Sequence, residues 1–405
     1  MSLFDFFRRP PTPAKYAQLL IKQLAIHQPG ESVRYDEAGF RLLVGANGGH
    51  VINLHNLYSE YCAASKADRV LQLERTVASM QPSGIPASFA EARAHLMPAL
   101  RGRGMMEYLR LMEPSREPGT PSGFLVLPFS RDAALMLVYD GDDAMQSFGA
   151  DQLKQWGVSL DEALAAAMDN LRDATVDRFT QVAPGVHAGD WGDAYDSSRL
   201  LLPDLAHRIA GANPLAMIPN RGTLLLASGN DVEGVRAMVA LAQRIADEDT
   251  RPVSALLYRF VDGRPVEHLP EDAQVREALA RLDRQYRHGD YAAQKETMDE
   301  LHEKDGSDIF VATYKVMRIE ESGEEYSLAS WTKGVDTLLP RTDRVALFVP
   351  DDGEEQKELL VLPWDALYAA CGHLMQPLPH AFPERYRVTA FPDLAPLRPL
   401  ALNLG

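Results

Sequence analysis

The stretch from Asp190 to Ile245 constrains the fold more than any other, because its helix and turn signals interlock over fifty residues. Pro203 opens an amphipathic run through Leu205, Ile209 and Ala210 that stops at Gly211. Proline is favoured in the first turn of a helix and glycine just past its end, so a short helix over 203–210 is predicted. Two apolar runs follow, 215–218 and 224–227, separated by Pro219-Asn220-Arg221-Gly222. Asn and Gly tolerate the backbone angles of a tight turn, and the pattern predicts a β-hairpin. Asn230 with Glu233 three residues later has the spacing of a capping box. Val235, Met238, Val239, Ala242 and Ile245 then form the stripe of a helix lying on a sheet. Upstream, Ser159 and Glu162 form a second capping box, opening a helix striped by Leu160, Leu164, Ala167, Met168 and Leu171. Helix, short strands, helix, hairpin, helix is the order of a small α+β layer domain.

The rest of the chain repeats this style. Residues 14–26 are helical by spacing, with strands expected at 32–35, 40–44 and 51–54 and a broken helical region over 57–80. Met105 to Met112, Phe124 to Pro128 and Ala134 to Tyr139 read as strands, the last an apolar run suited to a central position. Gln274 to Lys304 is a long polar helix, followed by strand-like runs at 309–319, 326–331, 345–349 and 358–362. Asp351-Asp352-Gly353 carries a hairpin signal. Trp364 to Leu374 is a closing helix, and the proline-rich end from Pro377 is expected to lie extended over the surface. The fold class is therefore α+β. Two related helix and antiparallel-sheet domains, 1–155 and 156–265, are expected to precede a C-terminal α+β module, 266–405.

Composition removes several function classes. A formal charge of −16 is poor for a general nucleic-acid binder, which presents a basic face to phosphates. No window has the roughly 18 consecutive apolar residues of a membrane helix. Only two cysteines are present, Cys62 and Cys371, so neither a disulfide framework nor a CxxC metal site can be built. This suits a reducing, cytoplasmic setting.

Catalytic signatures are missing as well. There is no GxGxxG after a strand, no Walker loop, no GxSxG and no HExxH. Gly45 to Gly49 is glycine-rich but lacks the lysine of a phosphate loop. His50 and His55 would face opposite sides of a strand, and His187, Asp190 and Asp193 have no metal-site spacing. No metal or cofactor is expected. Asp140, Asp142 and Asp143 end the apolar strand, where acids can hold a cation, act on protons, or complement a helix dipole. Trp191, Asp196, Arg199 and Arg221 cluster around the hairpin, where arginine can take an anion or form a structural bidentate pair. Trp331, in Ser330-Trp331-Thr332-Lys333-Gly334, is a candidate interface anchor.

The runs LMLVYDGDDAMQSFGADQLKQWGVSLDEALAAAMDNL (135–171), YDSSRLLLPDL (195–205) and MIPNRGTLLLASGNDVEGVRAMVALA (217–242) resemble the bacterial YtpQ-like family of unknown function. The resemblance spans residues 1–250 and is firmest over 135–245; it implies no activity or catalytic residues to carry over. The element order of the second part is also similar to that of type III secretion chaperones, a likeness of fold alone. Together these readings predict a cytoplasmic, non-enzymatic adaptor that binds another polypeptide. The alternatives are a hydrolase or nucleotide-handling enzyme using Asp140, Asp142, Asp190 and Arg221, and a homo-oligomeric scaffold joined around Trp331.

Overall fold

A computed structural model of the chain describes residues 11–27, 30, 32–37, 39–44, 50–65, 68–79, 84–112, 124–141, 145–248, 251–350 and 357–402. The fold is α+β, built from helices and several largely antiparallel sheets. Contacts divide the chain into two units. The first comprises residues 1–97 and 138–167, and the second residues 98–137 and 168–405.

In the first unit, helix Pro13–His27 packs with helices His55–Ala63 and Arg69–Ser79 and a three-stranded antiparallel sheet. Tyr16, Leu20 and Leu24 face inward at helical spacing and meet Leu42 and Leu54. The predicted break near Ser65 is present between these last two helices. Farther along, the Ser159 hydroxyl accepts from Glu162 N at 3.2 Å and opens helix Leu160–Asp173 as the capping-box spacing predicted.

The second unit holds the stretch that organised the sequence. Helix Pro203–Ala210 ends at Gly211, whose φ of 82° is open only to a residue without a Cβ penalty. The hairpin is present, with Pro214–Met217 antiparallel to Leu225–Ser228. Its turn is drawn in by Asn220 Oδ1, which accepts from Gly222 N at 3.1 Å. These strands are central in a six-stranded antiparallel sheet that continues through Tyr258–Val261 and Arg264–Glu267 on one side and Val186–Gly189 and Phe179–Ala183 on the other. Helix Val232–Glu248 covers it through Val235, Met238, Val239 and Ala242. Its cap is one residue later than the spacing predicted. Asp231, not Asn230, accepts from Gly234 N at 3.0 Å, and Glu233 instead pairs with Arg236.

Three further expectations are corrected. Residues 105–112 are not a strand: Arg103–Leu111 is a helix that keeps Glu107 inside, where it bonds Gln294 and Arg110. Met105 is exposed on the opposite side, so the dense apolar run disguised a helical face. The strand expected over 309–319 is two strands in different sheets, Phe310–Val311 and Lys315–Arg318. The tail beyond Pro377 is not draped over the surface. Arg385–Val388 lies between Thr337–Pro340 and Gln376–Pro377, and Phe382, Arg385, Val388 and Leu397 are buried. The hairpin signal at 351–353 lies outside the described residues, although Arg344–Val349 and Glu358–Pro363 on either side pair antiparallel.

Helix Ala273–Asp305 is the spine of this second unit. Its 33 residues are capped by Asp272, which accepts from Val275 N at 2.9 Å, and stopped by Gly306 at a φ of 73°. One end packs on helix Val232–Glu248 through Val275 and Leu282. Farther along, Met298 meets Val311 and Leu338.

Candidate functional site

Of the residues singled out by sequence, Trp191, Asp196, Arg199 and Arg221 come together within the second unit. Arg199 is fully buried and serves structure: its Nη1 and Nη2 donate to the two carboxylate oxygens of Asp193 at 2.9 and 2.7 Å. Its Nε donates to Thr175 Oγ1, and its guanidinium stacks 4.2 Å from the Trp191 ring centroid. Burial opposes ionisation of Asp193, yet hydrogen bonds from Arg199 and Tyr195 N hold the carboxyl below its ordinary range. Asp196 is 1% exposed; one oxygen accepts from Trp191 N and Gly192 N, the other has no hydrogen-bond partner among the described residues, and desolvation raises its pKa. The Arg221 carbonyl receives Ser197 N. Asp140 belongs to the first unit, where its carbonyl lies 3.2 Å from His95 Nδ1. Asp190 and Arg221 belong to the second unit, and Asp142 lies outside the described residues. Trp331 is corrected from surface anchor to core. It is 1% exposed, because Ser327, Ala329 and Trp331 alternate inward along strand Glu325–Thr332.

A different set converges within the second unit. Helix Ala273–Asp305 presents Asp283, Arg284, Arg287, Asp290 and Tyr291 at spacings of one, three, three and one, which places them along one face. The turn before strand Ala133–Asp140 brings Arg131 and Asp132, and the start of helix Arg103–Leu111 brings Arg103. Ser327, Arg341 and Asp343 come from the sheets beyond the helix, and the buried tail supplies Phe382 and Glu384. All of these except Asp132 and Asp290 line a cleft of about 430 Å³, within the usual size range of small-ligand sites.

The cleft lining carries five arginines against three carboxylates. Arg287 Nη2 donates to Asp132 Oδ1 at 2.9 Å, and Arg131 Nη2 to Asp283 Oδ1 at 3.2 Å. Arg284 Nε reaches Asp343 Oδ2 at 3.2 Å, and Arg341 Nη1 reaches Glu384 Oε2 at 3.5 Å. Arg103 differs. Among the described residues it forms no ion pair, and its Nη1 donates only to the Arg131 carbonyl at 3.0 Å. Its guanidinium lies 4.2 Å from the Phe382 ring centroid, and that of Arg287 lies 5.0 Å from the same ring. Burial and the adjacent Arg287 charge pull the Arg103 pKa down, with Asp132, Glu384 and Glu107 opposing. Tyr291 and Tyr314 stack at 4.9 Å beside it.

The support behind this lining is buried and polar. Arg385, 1% exposed, donates to Gln294 Oε1 and to the carbonyls of Ala312, Leu338 and Tyr291. Tyr291 OH donates to the Glu384 carbonyl and accepts from Arg341 N, which ties the tail to the helix. Next to the cleft, a cavity the size of a single water, about 10 Å³, is lined by Asp132, Asp283, Arg287 and Asp290 together with Gly102 and Pro252. Desolvation pushes the Asp290 carboxyl up to about 7, with Arg287 opposing and Asp132 and Asp283 adding to the rise.

Among the described residues, no group of three or more His, Cys, Asp or Glu is placed to hold a metal ion. Three of the lining hydroxyls are committed to the protein itself: Ser327 Oγ to Asp343, Thr342 Oγ1 to the Arg344 carbonyl, and Tyr291 OH to the Glu384 carbonyl. What the arrangement offers is cationic, planar hydrogen-bond donors beside aromatic faces. Sequence reading missed it because its members span 103–384, but Asp283, Arg284, Arg287 and Asp290 were a visible charged face on a predicted helix. Comparisons with family models, curated proteins and solved structures find no match to this chain.

Proposed function

We propose that this is a non-enzymatic binding protein whose second-unit cleft takes a small anionic molecule with an aromatic or otherwise flat body. The observation that carries this reading is Arg103. It is a half-buried guanidinium that forms no ion pair among the described residues, held against Phe382 in a cleft with four other arginines. A planar guanidinium matches sulfate, phosphate and carboxylate oxygens, and desolvation strengthens the contact. Binding rather than turnover is supported by the Ser327, Thr342 and Tyr291 hydroxyls of the lining, which are spent on structural bonds.

Other expectations stand beside this as proposals. Resemblance to the YtpQ-like family rests on the quoted motifs and adds no activity. A cytoplasmic setting is supported by the low cysteine content. No helix among the described residues is long and apolar enough to cross a membrane. The scaffold reading loses its anchor, since Trp331 is in the core.

The test is calorimetric titration with phenyl sulfate, which joins a ring to a permanently charged anion. Saturable binding is expected, weakened about tenfold or more in Arg103→Ala, the loss of one charge-assisted contact. Equal affinity in Arg103→Ala, or no binding by the wild type, refutes the proposal.

A further inference from the structure

We propose that Asp290 is the proton gate of this cleft, so that an anion arriving beside Arg287 binds together with a proton taken up at the Asp290 carboxyl. The inference rests on the anion-binding reading above. Its geometry is the water-sized cavity in which Asp132, Asp283 and Asp290 crowd around the single guanidinium of Arg287. Asp132 and Asp283 have hydrogen-bonded arginine partners, Arg287 and Arg131. Among the described residues, no donor bonds the Asp290 carboxylate. It is packed instead against Gly104, where a Cβ would stand 1.9 Å from Oδ1. A side chain at 104 would force the Asp290 carboxyl to move.

The charged groups around Asp290 come from three directions. Its own helix contributes Asp283 and Arg287, and the turn at 131–132 contributes Asp132 with Arg131 behind it. The Gly104 helix contributes Arg103 and Glu107, of which Glu107 is already bonded to Arg110 and Gln294. Pro252 and Val253 close the cavity without a titratable group. Carboxylates thus outnumber cations at this spot. A bound anion on Arg287 adds another negative charge, and the carboxylate with no donor is the one that relieves it by protonation. Because the carboxyl already sits near about 7, uptake occurs where it is ionised in the free protein, on the alkaline side of that value.

Phenyl sulfate again serves, since its charge is constant over this range. Titrations of the whole chain at about pH 6 and about pH 8, each in two buffers of different ionisation enthalpy, count the protons bound. The expected result is an uptake approaching one proton at the higher pH and little at the lower, with affinity falling up to about tenfold between them. Asp290→Asn should bind with no uptake and no pH dependence. Binding by the wild type without proton uptake overturns the gate while leaving the anion reading intact, and so does pH dependence that survives in Asp290→Asn. Absence of binding at both pH values overturns the anion reading, and the gate with it. The proton count on the wild type decides the matter even if Asp290→Asn fails to fold.

Discussion

Replacing Arg199 with methionine is the sharpest test of how the second unit is held together. The guanidinium side chain is 0% exposed, and it donates to both oxygens of Asp193, to Thr175 Oγ1 and to the Ala174 carbonyl at 2.7–3.3 Å. Methionine keeps the aliphatic stem against Trp191 and removes every donor. Each hydrogen bond to a charged group is worth about 1.5–3 kcal/mol, and breaking a buried pair from one side costs about 3–5 kcal/mol. Asp193 is 35% exposed and regains water when abandoned, so the lower end applies and a loss of about 3 kcal/mol is expected. Asp193→Asn, which strands the buried cation, should cost a similar amount. The double variant should lose about 2 kcal/mol less than the two singles summed. Urea denaturation followed by circular dichroism and by tryptophan fluorescence measures this, with two transitions fitted if the units melt separately. A loss under about 1 kcal/mol, or additive single variants, would show that the pair is decoration rather than a joint. The acid side gives an independent check. The folded-state pKa of Asp193 is depressed below 3.8, so its contribution is present above that value and fades as pH falls below it.

Two further outcomes follow from the site. Asp290 titrates near about 7 in the folded chain against 3.8 when unfolded, so the unfolded state ionises first and stability falls as pH rises between those values. The ceiling on that fall is about 4 kcal/mol; Asp290→Asn should flatten the melting temperature from about pH 5 to about pH 7.5, and a parallel slope in the variant would contradict the assignment. Gly102→Ala should destabilise by about 1–3 kcal/mol, because its Cβ would stand 2.6 Å from the Pro252 carbonyl although its φ of −63° suits any residue. An unchanged melting temperature in Gly102→Ala would mean that the 102 and 252 segments separate freely.

What the sequence disclosed was local chemistry. Pro203 and Gly211, Asn220 and Gly222, and Ser159 with Glu162 act within a few residues, so their helices and hairpin could be placed before any contact was known. The cap at Asp231 slipped by one because Asn230 and Asp231 are both good caps, and only the tertiary register chooses between them. The 103–111 helix was hidden by apolar residues on more than one face, and its decisive inward residue is an acid, Glu107. The cleft was the least legible feature. Arg103, Arg287 and Phe382 have no relation in sequence, and a proline-rich tail gives no sign that Arg385 will be buried among carbonyls. The Tyr195 to Arg199 run offered either an anion site or a structural bidentate pair, and the pair is what forms, with Ser198, Arg199 and Asp196 tying Leu100, Ala174 and Trp191 to the same corner.

The discontinuity of the second unit sets the order in which the cleft can come into being. As the ribosome extrudes the chain, Arg103 and Arg131 emerge early, in the segment 98–137, and then wait while residues 138–167 are delivered to the other unit. Arg287 arrives about 150 residues after Arg131, and Phe382 about 100 residues later still. Until then both guanidinium groups stay in water. Closing loops of this length is slow compared with forming the hairpin or the long helix. The cleft is thus completed only once the segment 376–388 has folded back on itself and paired with strand Thr337–Pro340.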